Sequence, residues 1–574
     1  MTPALTFAAI AALNLSAATP DEAVIELADA WVEGFASTDP LEARLWGVDT
    51  PANRLIGAGS LQSHDQWNRL QGDILTRLEA HDPDQLGPGA RSVYVNLRHR
   101  LEVHEALQSC HRELWPLNHV AGWQLNLINS IGLAAEAAGP QLGPELIGNW
   151  GEQISAYIDA SEARLLAGLA QGYSTPREIA DIVAGQFDSL AAEGSDLWTL
   201  ADPAPADIAT AWRTTMADTI APRLAAHAGF IRTQYSPSAR TALSIAALPE
   251  GDACYAASLF QQTGIRFRPD TVRDLGHRMQ DDARTRMMAA ARPIWGELTE
   301  QDIRDRLAGL DTGPAMTEEA SLTRIEADTQ RLIAASQPLF PLLPGQSVRV
   351  ELYPPEQRAY MAASYRPDLA NGLSGIYSIN PLEPRLQHAR SSEQVTAHET
   401  APGHHTQSMV AAHYSGQGDA APHPILTIGM NNAFVEGWAH YAEILAAEEG
   451  LLEHAETEAV FWSEFGATLP LAIDFNTGAL SEAETAQQVL ARRGTPDADP
   501  AQADTVLHWL AMMPGQIVSY EVGADFFYRQ RDRARDALGH DFDYPTFHRL
   551  VLEEGSVPLW RVEDKIDAWI ATRD

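Results

Sequence analysis

Apolar residues recur about one helical turn apart over most of this chain. In Asp21–Phe35 (DEAVIELADAWVEGF), Val24, Ile25, Leu27, Ala28 and Trp31 form a stripe of helical period. Similar stripes run through Ser155–Leu169, Thr210–Ile231, Thr271–Ile294 and Thr317–Ile333. Thr271 ahead of Asp274, and Thr317 ahead of Glu318 and Glu319, predict capped starts. Gly and Pro gather between the stripes at Leu86–Gly89, Asp202–Pro205 and Leu342–Gly345, which read as turns. One region follows a period of two instead. Ser347–Leu352 alternates Val348, Val350 and Leu352 against Ser347, Arg349 and Glu351, the pattern of a half-buried strand. Tyr360–Tyr365 and Gly375–Ile379 are further short strands around the turn-rich Arg366–Ser374. The pattern predicts a mainly α fold with a small β-sheet within residues 347–380.

Composition narrows the chemistry. At 574 residues, the length suggests three or four domains of about 100–200 residues, or one multi-lobed enzyme. A 45% hydrophobic content argues against a mainly disordered chain. Asp and Glu number 77 against 40 Lys and Arg, a net charge of −37 that opposes binding to nucleic acid or anionic lipid. Lys565 is the sole lysine and follows Asp564, which excludes a phosphate-binding Gly-Lys-Ser/Thr loop and leaves a Schiff-base lysine without a credible position. Cys110 and Cys254 cannot build a thiolate zinc site; two buried thiols are the expectation, with a disulfide as the alternative in an exported protein. Met1–Ala18 (MTPALTFAAIAALNLSAA) has the apolar stretch and small-residue end of a secretory signal without its basic start. The expectation is export to the periplasm, with a cytoplasmic protein as the alternative. No other stretch approaches the roughly 18 apolar residues of a membrane span.

The densest cluster of metal-capable groups is His398-Glu399-Thr400-Ala401-Pro402-Gly403-His404-His405. Ser391 with Gln394 reads as a capping box for a helix leading into it. A neutral imidazole with a carboxylate next along the helix suits metal-assisted hydrolysis. The spacing is unusual, however. Six residues of unbroken helix leave His398 and His404 some 120° apart and about 9 Å along the axis, too far to share an ion. Pro402 cannot donate to the His398 carbonyl, and Gly403 relaxes the backbone, so a bulge there would return His404 to the face of His398. His405 is the rival ligand, on nearly the right face but about 10.5 Å along a regular helix; geometry favours His404.

A third ligand is expected from Asn431–Gly450 (NNAFVEGWAHYAEILAAEEG). There Phe434, Trp438, Tyr441 and Leu445 make an apolar stripe, while Glu436, His440 and Glu443 share another face. Glu436 is the expected carboxylate ligand. His405, His440 and Glu443 are expected to orient ligands or meet substrate. The bland alternatives are surface histidines at a helix bend and an exposed Glu436–His440 pair.

These motifs, His398-Glu399-x-x-Pro402-Gly403-His404, then Phe434-x-Glu436-Gly437-Trp438-Ala439-x-Tyr441, then Pro514-Gly515-Gln516-x-x-Ser519-Tyr520-x-x-Gly523, resemble those of the bacterial "domain of unknown function 885" family. Tyr255–Leu275 and Phe547–Ile566 resemble it too. The resemblance implies a large, two-lobed, zincin-like metallopeptidase, mostly helical and often exported. It divides the chain into an amino-terminal lobe at 19–250 and a catalytic lobe at 251–574, within one continuous family domain. It implies His398, His404 and Glu436 as ligands of one zinc ion, Glu399 as general base and Tyr520 as donor to the oxyanion, with Gln516 nearby. Manganese or cobalt would suit similar ligands. The run Asp474–Ala479 departs from the family pattern, since no histidine follows it.

The expected reaction is hydrolysis of a peptide or small amide by metal-activated water, with Gly375–Ile379 aligning an extended substrate by edge pairing. A packed core tyrosine is the alternative for Tyr520, and Arg531 is the suggested holder of a substrate carboxylate. Competing readings are a metal-dependent hydrolase of non-peptide amides or esters, and a non-catalytic peptide-binding relative. A serine nucleophile elbow is absent: Gly372-Leu373-Ser374-Gly375 lacks its spacing.

Overall fold

A computed structural model of the chain describes residues 19–343, 345–353, 358, 362–368, 372–415, 423–429, 431–492 and 500–572. The signal-like Met1–Ala18, with Pro344 and Tyr360, lies outside these residues. Helices dominate. The first stripe folds as Pro20–Thr38, capped reciprocally by Thr19 and Glu22, with Val24, Leu27, Ala28 and Trp31 buried. Ser155–Leu169 lies within a 28-residue helix, Pro144–Gln171. Thr210–Ile231 belongs to a longer helical run from Ala206 to Tyr235 with two π turns, Met216–Ile220 and Ile231–Tyr235. A proline follows each π turn within two residues (Pro222, Pro237) and cannot complete the ordinary hydrogen bond. Thr317 caps as expected, accepting from Ala320 N–H. Thr271 does not: that helix starts at Pro269, because proline fits the first turn, where no N–H is needed. Among the described residues no helix is long and apolar enough to cross a membrane.

The sheet has three strands, β1 (Ser347–Leu352), β2 (Ser364–Pro367) and β3 (Ser374–Ile379), in the order β1-β3-β2. β1 runs parallel to β3, with Val348 opposite Gly375, and β2 runs antiparallel to it, with Tyr365 opposite Tyr377. Both edges of β3 are therefore occupied. This corrects the expectation that Gly375–Ile379 pairs with substrate, since a central strand has no free ladder to offer. Val348, Tyr377 and Ile379 pack with Leu386, Val395 and Ala401, so the sheet braces the helix that carries His398 and the turn after it.

One apolar core runs from Leu41 to Ile566 and holds residues from both halves of the chain. A disulfide between Cys110 and Cys254, 144 positions apart, ties a 3₁₀ turn, Gln108–Cys110, to the helix Gly251–Thr263. The expected pair of buried thiols is thus corrected. Each cysteine sits in apolar surroundings, which conceals from the sequence that their Cα atoms approach to 4.6 Å.

The most extensive helix pairing joins Asn432–Glu448 to Gln516–Leu538. Two glycines permit it. A Cβ on Gly437 would lie 2.4 Å from Gly523 Cα, and one on Gly523 would lie 1.9 Å from the Ala433 carbonyl oxygen. Backbone meets backbone at this crossing, which fixes how closely Glu436 and Tyr520 approach. Gly523→Ala should destabilise the fold by about 3 kcal/mol, through forced separation of the helices; a denaturant midpoint equal to wild type would refute a contact this tight. Closing a loop of 144 residues is worth about 5 kcal/mol in the unfolded state, or roughly 4 °C in melting temperature for a chain of this size. Calorimetry of the Cys110→Ser/Cys254→Ser variant checks this, and an unchanged melting temperature would contradict it.

Candidate metal centre

The helix Ala389–Glu399 stops at Glu399, and the next, His404–Ser415, starts five residues later. Between them Thr400 N–H still reaches the Thr396 carbonyl at 2.8 Å, but Gly403 N–H reaches back six residues to Ala397 at 3.0 Å. Pro402 has no N–H for the His398 carbonyl. The Ala401–Pro402 peptide is cis. A Cβ on Gly403 would lie 1.8 Å from the His398 carbonyl oxygen, so only glycine passes there. Trp438 Nε1–H donates to the Pro402 carbonyl at 3.1 Å and clamps the turn from the facing helix. The break swings His404 back beside His398, their rings perpendicular with centroids 4.9 Å apart.

Glu436 meets them from the helix Asn432–Glu448. Its Oε2 lies 3.6 Å from His398 Nε2 and 3.5 Å from His404 Nε2, and one donor atom from each residue falls within 4.8 Å of the others. Both imidazoles are held by their other nitrogen. Glu443 Oε1 lies 2.8 Å from His398 Nδ1, while Gln394 Nε2–H donates to Glu443 Oε2 at 2.6 Å. Gln407 Nε2–H donates to the Phe434 carbonyl at 3.3 Å, which turns its Oε1 toward His404 Nδ1, also at 3.3 Å. Each Nδ1 thus donates, and each Nε2 is turned toward Glu436. Ligating histidines are oriented in this way in metal sites generally.

The electrostatics suit a cation. Burial pushes the His398 imidazole down, but hydrogen bonds to Glu436 and Glu443, with the fields of Glu443 and Glu399, outweigh it and hold it up, at about 10. Burial likewise opposes Glu436, yet its bonds to His398 and His404 hold that carboxyl well below the usual range. Carboxylates thus converge on the two imidazoles, and a divalent ion could take the place of the proton they hold on His398. Glu399, buried at the helix end, has its carboxyl pushed up by burial, with the two imidazoles pulling the other way. A carboxyl raised in this manner is a better proton acceptor near neutral pH.

The other expected residues separate into two groups. Tyr520 joins the centre: its ring lies along that of His398 at 6.3 Å, and Gln516 Nε2–H donates to its hydroxyl at 3.2 Å. His440 stands edge-on to Tyr520 at 5.5 Å, and its Nε2 is 3.7 Å from Glu443 Oε1. His405 faces the sheet instead, where its Nδ1 lies 3.0 Å from the Tyr365 hydroxyl. Arg531 is not a substrate group. It is buried, paired with Glu448 at 2.6 Å and stacked over Tyr528, so its charge is spent inside the fold. Asp474 pairs with Arg273 at 2.5 Å.

Two residues in this scaffold escape a reading by motif. Gln394 is not a capping partner: the helix starts at Ala389, five residues earlier, and the amide braces Glu443. Gln407 stands three residues after His404, a spacing that could have identified it.

A second acidic group, Asp328, Glu393 and Glu453, shows what a filled site looks like. Arg324 meets Asp328 at 2.6 Å, Arg331 pairs with Glu393, and His454 Nδ1 lies 2.8 Å from Glu393. Its charges are already matched by protein cations.

No curated protein matches the chain. Among solved structures, it is similar to a candidate lipoprotein from Colwellia psychrerythraea, with a TM-score of 0.80 and 15% identity over 96% of this chain and 100% of the other. It is also similar to a candidate lipoprotein of unknown function from Shewanella oneidensis, with a TM-score of 0.71 and 18% identity over 96% and 99% of the two chains. These likenesses establish a shared fold. The family of bacterial proteins of unknown function DUF885 matches residues 40–566, and the chain belongs to it.

Proposed function

We propose that this protein is a metal-dependent hydrolase of amide bonds, in a peptide or a small amide, built on a two-lobed, zincin-like fold. The convergence of His398 Nε2, His404 Nε2 and Glu436 Oε2 carries the reading. Two imidazoles and a carboxylate are the donor set of hydrolytic zinc sites, so zinc is the expected ion, one per chain. When bound there, it would supply Lewis acidity toward a carbonyl and a water of lowered pKa.

The chain's own residues supply the rest. Glu443 and Gln407 each engage an Nδ1–H, which leaves Nε2 as the nitrogen that would hold the ion once its proton is displaced. Glu399, interacting with both imidazoles and with Glu436, accepts a proton from the attacking water and delivers it to the leaving amine. Tyr520 donates to the carbonyl oxygen as it gains charge. The phenol keeps its proton, because burial and the Glu436 field push its ionisation well above the ordinary range. Export to the periplasm fits the disulfide, the signal-like start and the two similar proteins described as candidate lipoproteins.

Two experiments test this reading. His404→Ala should lose most of the bound metal by elemental analysis, whereas His405→Ala should keep it; the reverse result would exchange the ligands. Glu399→Gln retains the shape and removes the base, so metal content should hold while chelator-sensitive cleavage of a peptide library falls roughly 10²–10⁴-fold. Undiminished turnover in that variant would exclude Glu399 as the base.

A further inference from the structure

Gln516 stands between two aromatic residues. Trp509 Nε1 lies 2.8 Å from its Oε1, and its Nε2 lies 3.2 Å from the Tyr520 hydroxyl oxygen. The directions of these bonds follow from chemistry alone. An indole N–H can only donate, so the oxygen of the Gln516 amide must face Trp509. The NH₂ then faces Tyr520 and can also only donate, so the phenolic oxygen accepts. A phenol has one hydrogen, and with Gln516 supplying its own, the Tyr520 O–H is driven to point elsewhere. The carboxylates of Glu436 and Glu399 face that hydroxyl, and the ring itself lies along His398.

We infer that Trp509 and Gln516 are positioning residues that aim the Tyr520 O–H into the space beside His398 and Glu436, where it meets the carbonyl oxygen of a bound amide. The inference rests on the proposed hydrolase reading for its purpose, and on the three-residue chain for its direction. Trp509 is the element that breaks the symmetry. An amide side chain can turn end for end at little cost; without a donor-only neighbour, Gln516 would present its oxygen to Tyr520 for part of the time and draw the phenolic hydrogen away. Trp509 is partly exposed, at 36%, whereas Gln516 is buried, at 6%, so the indole lies at the rim and the amide it orients lies beneath it.

Substitution separates the two directions. Gln516→Glu keeps the shape and replaces the NH₂ with a second acceptor, so Tyr520 would donate to it. In chelator-sensitive peptide cleavage its kcat should fall about as far as that of Tyr520→Phe, roughly 10²-fold. Trp509→Phe, which keeps the ring and loses the N–H, should lower kcat about tenfold with KM within about twofold. A Gln516→Glu enzyme as fast as wild type, or a Trp509→Phe variant changed only in KM, would overturn the proposal. Neutron diffraction from deuterium-exchanged crystals of the full chain reads the same geometry without any turnover. Deuterium on Gln516 nitrogen directed at Tyr520, with the Tyr520 deuteron directed away from it, supports the assignment; a Tyr520 deuteron directed at Gln516 overturns it. A wild-type protein with no chelator-sensitive cleavage but the expected deuterons would sink the hydrolase reading and leave the lock in place.

Discussion

Glu436 is shared between two imidazoles that a regular helix would hold far apart, and the surrounding architecture serves that one meeting. A carboxylate partly buried between two histidines needs their charge or an ion's to offset desolvation, which costs several kcal/mol for a fully buried, uncompensated ion. The protein meets this need from three directions. The break at Thr400–Gly403 brings His404 round to His398. The glycine crossing at Gly437 and Gly523 lets the helix of Glu436 seat against that of Tyr520. Glu443 and Gln407 turn the rings so that their Nε2 atoms converge.

Much of this was legible in the sequence because it rests on local stereochemistry. Pro402 and Gly403 cannot continue a helix from His398, and a six-residue histidine spacing makes sense only if the helix breaks; both statements need only backbone geometry. The helical stripes and the alternating Ser347–Leu352 were equally local. Long-range contacts were not readable. Nothing near Cys110 or Cys254 announces that residues 144 apart touch. Strand order cannot be read from alternation, so β3 could be taken for an edge when it is the centre. Arg531 looks available beside the Tyr520 motif, and only the fold shows it buried against Glu448 and Tyr528.

The two acidic clusters illustrate how a fold distinguishes a structural network from a binding site. Asp328 and Glu393 are surrounded by Arg324, Arg331 and His454, which tie the helix Glu318–Ser336 to the residues after Asn432–Glu448. At the histidine turn the donors instead face one another, and the polar groups behind them point the right atoms inward. Acidity alone would not separate these two arrangements; the direction of each hydrogen bond does.

The most direct measurement is anomalous X-ray diffraction at the zinc edge, from crystals of the full chain grown with one equivalent of zinc. The account predicts a single strong peak about 2.0–2.2 Å from His398 Nε2, His404 Nε2 and a Glu436 oxygen. A peak elsewhere, or none at that position with the metal present, would contradict it.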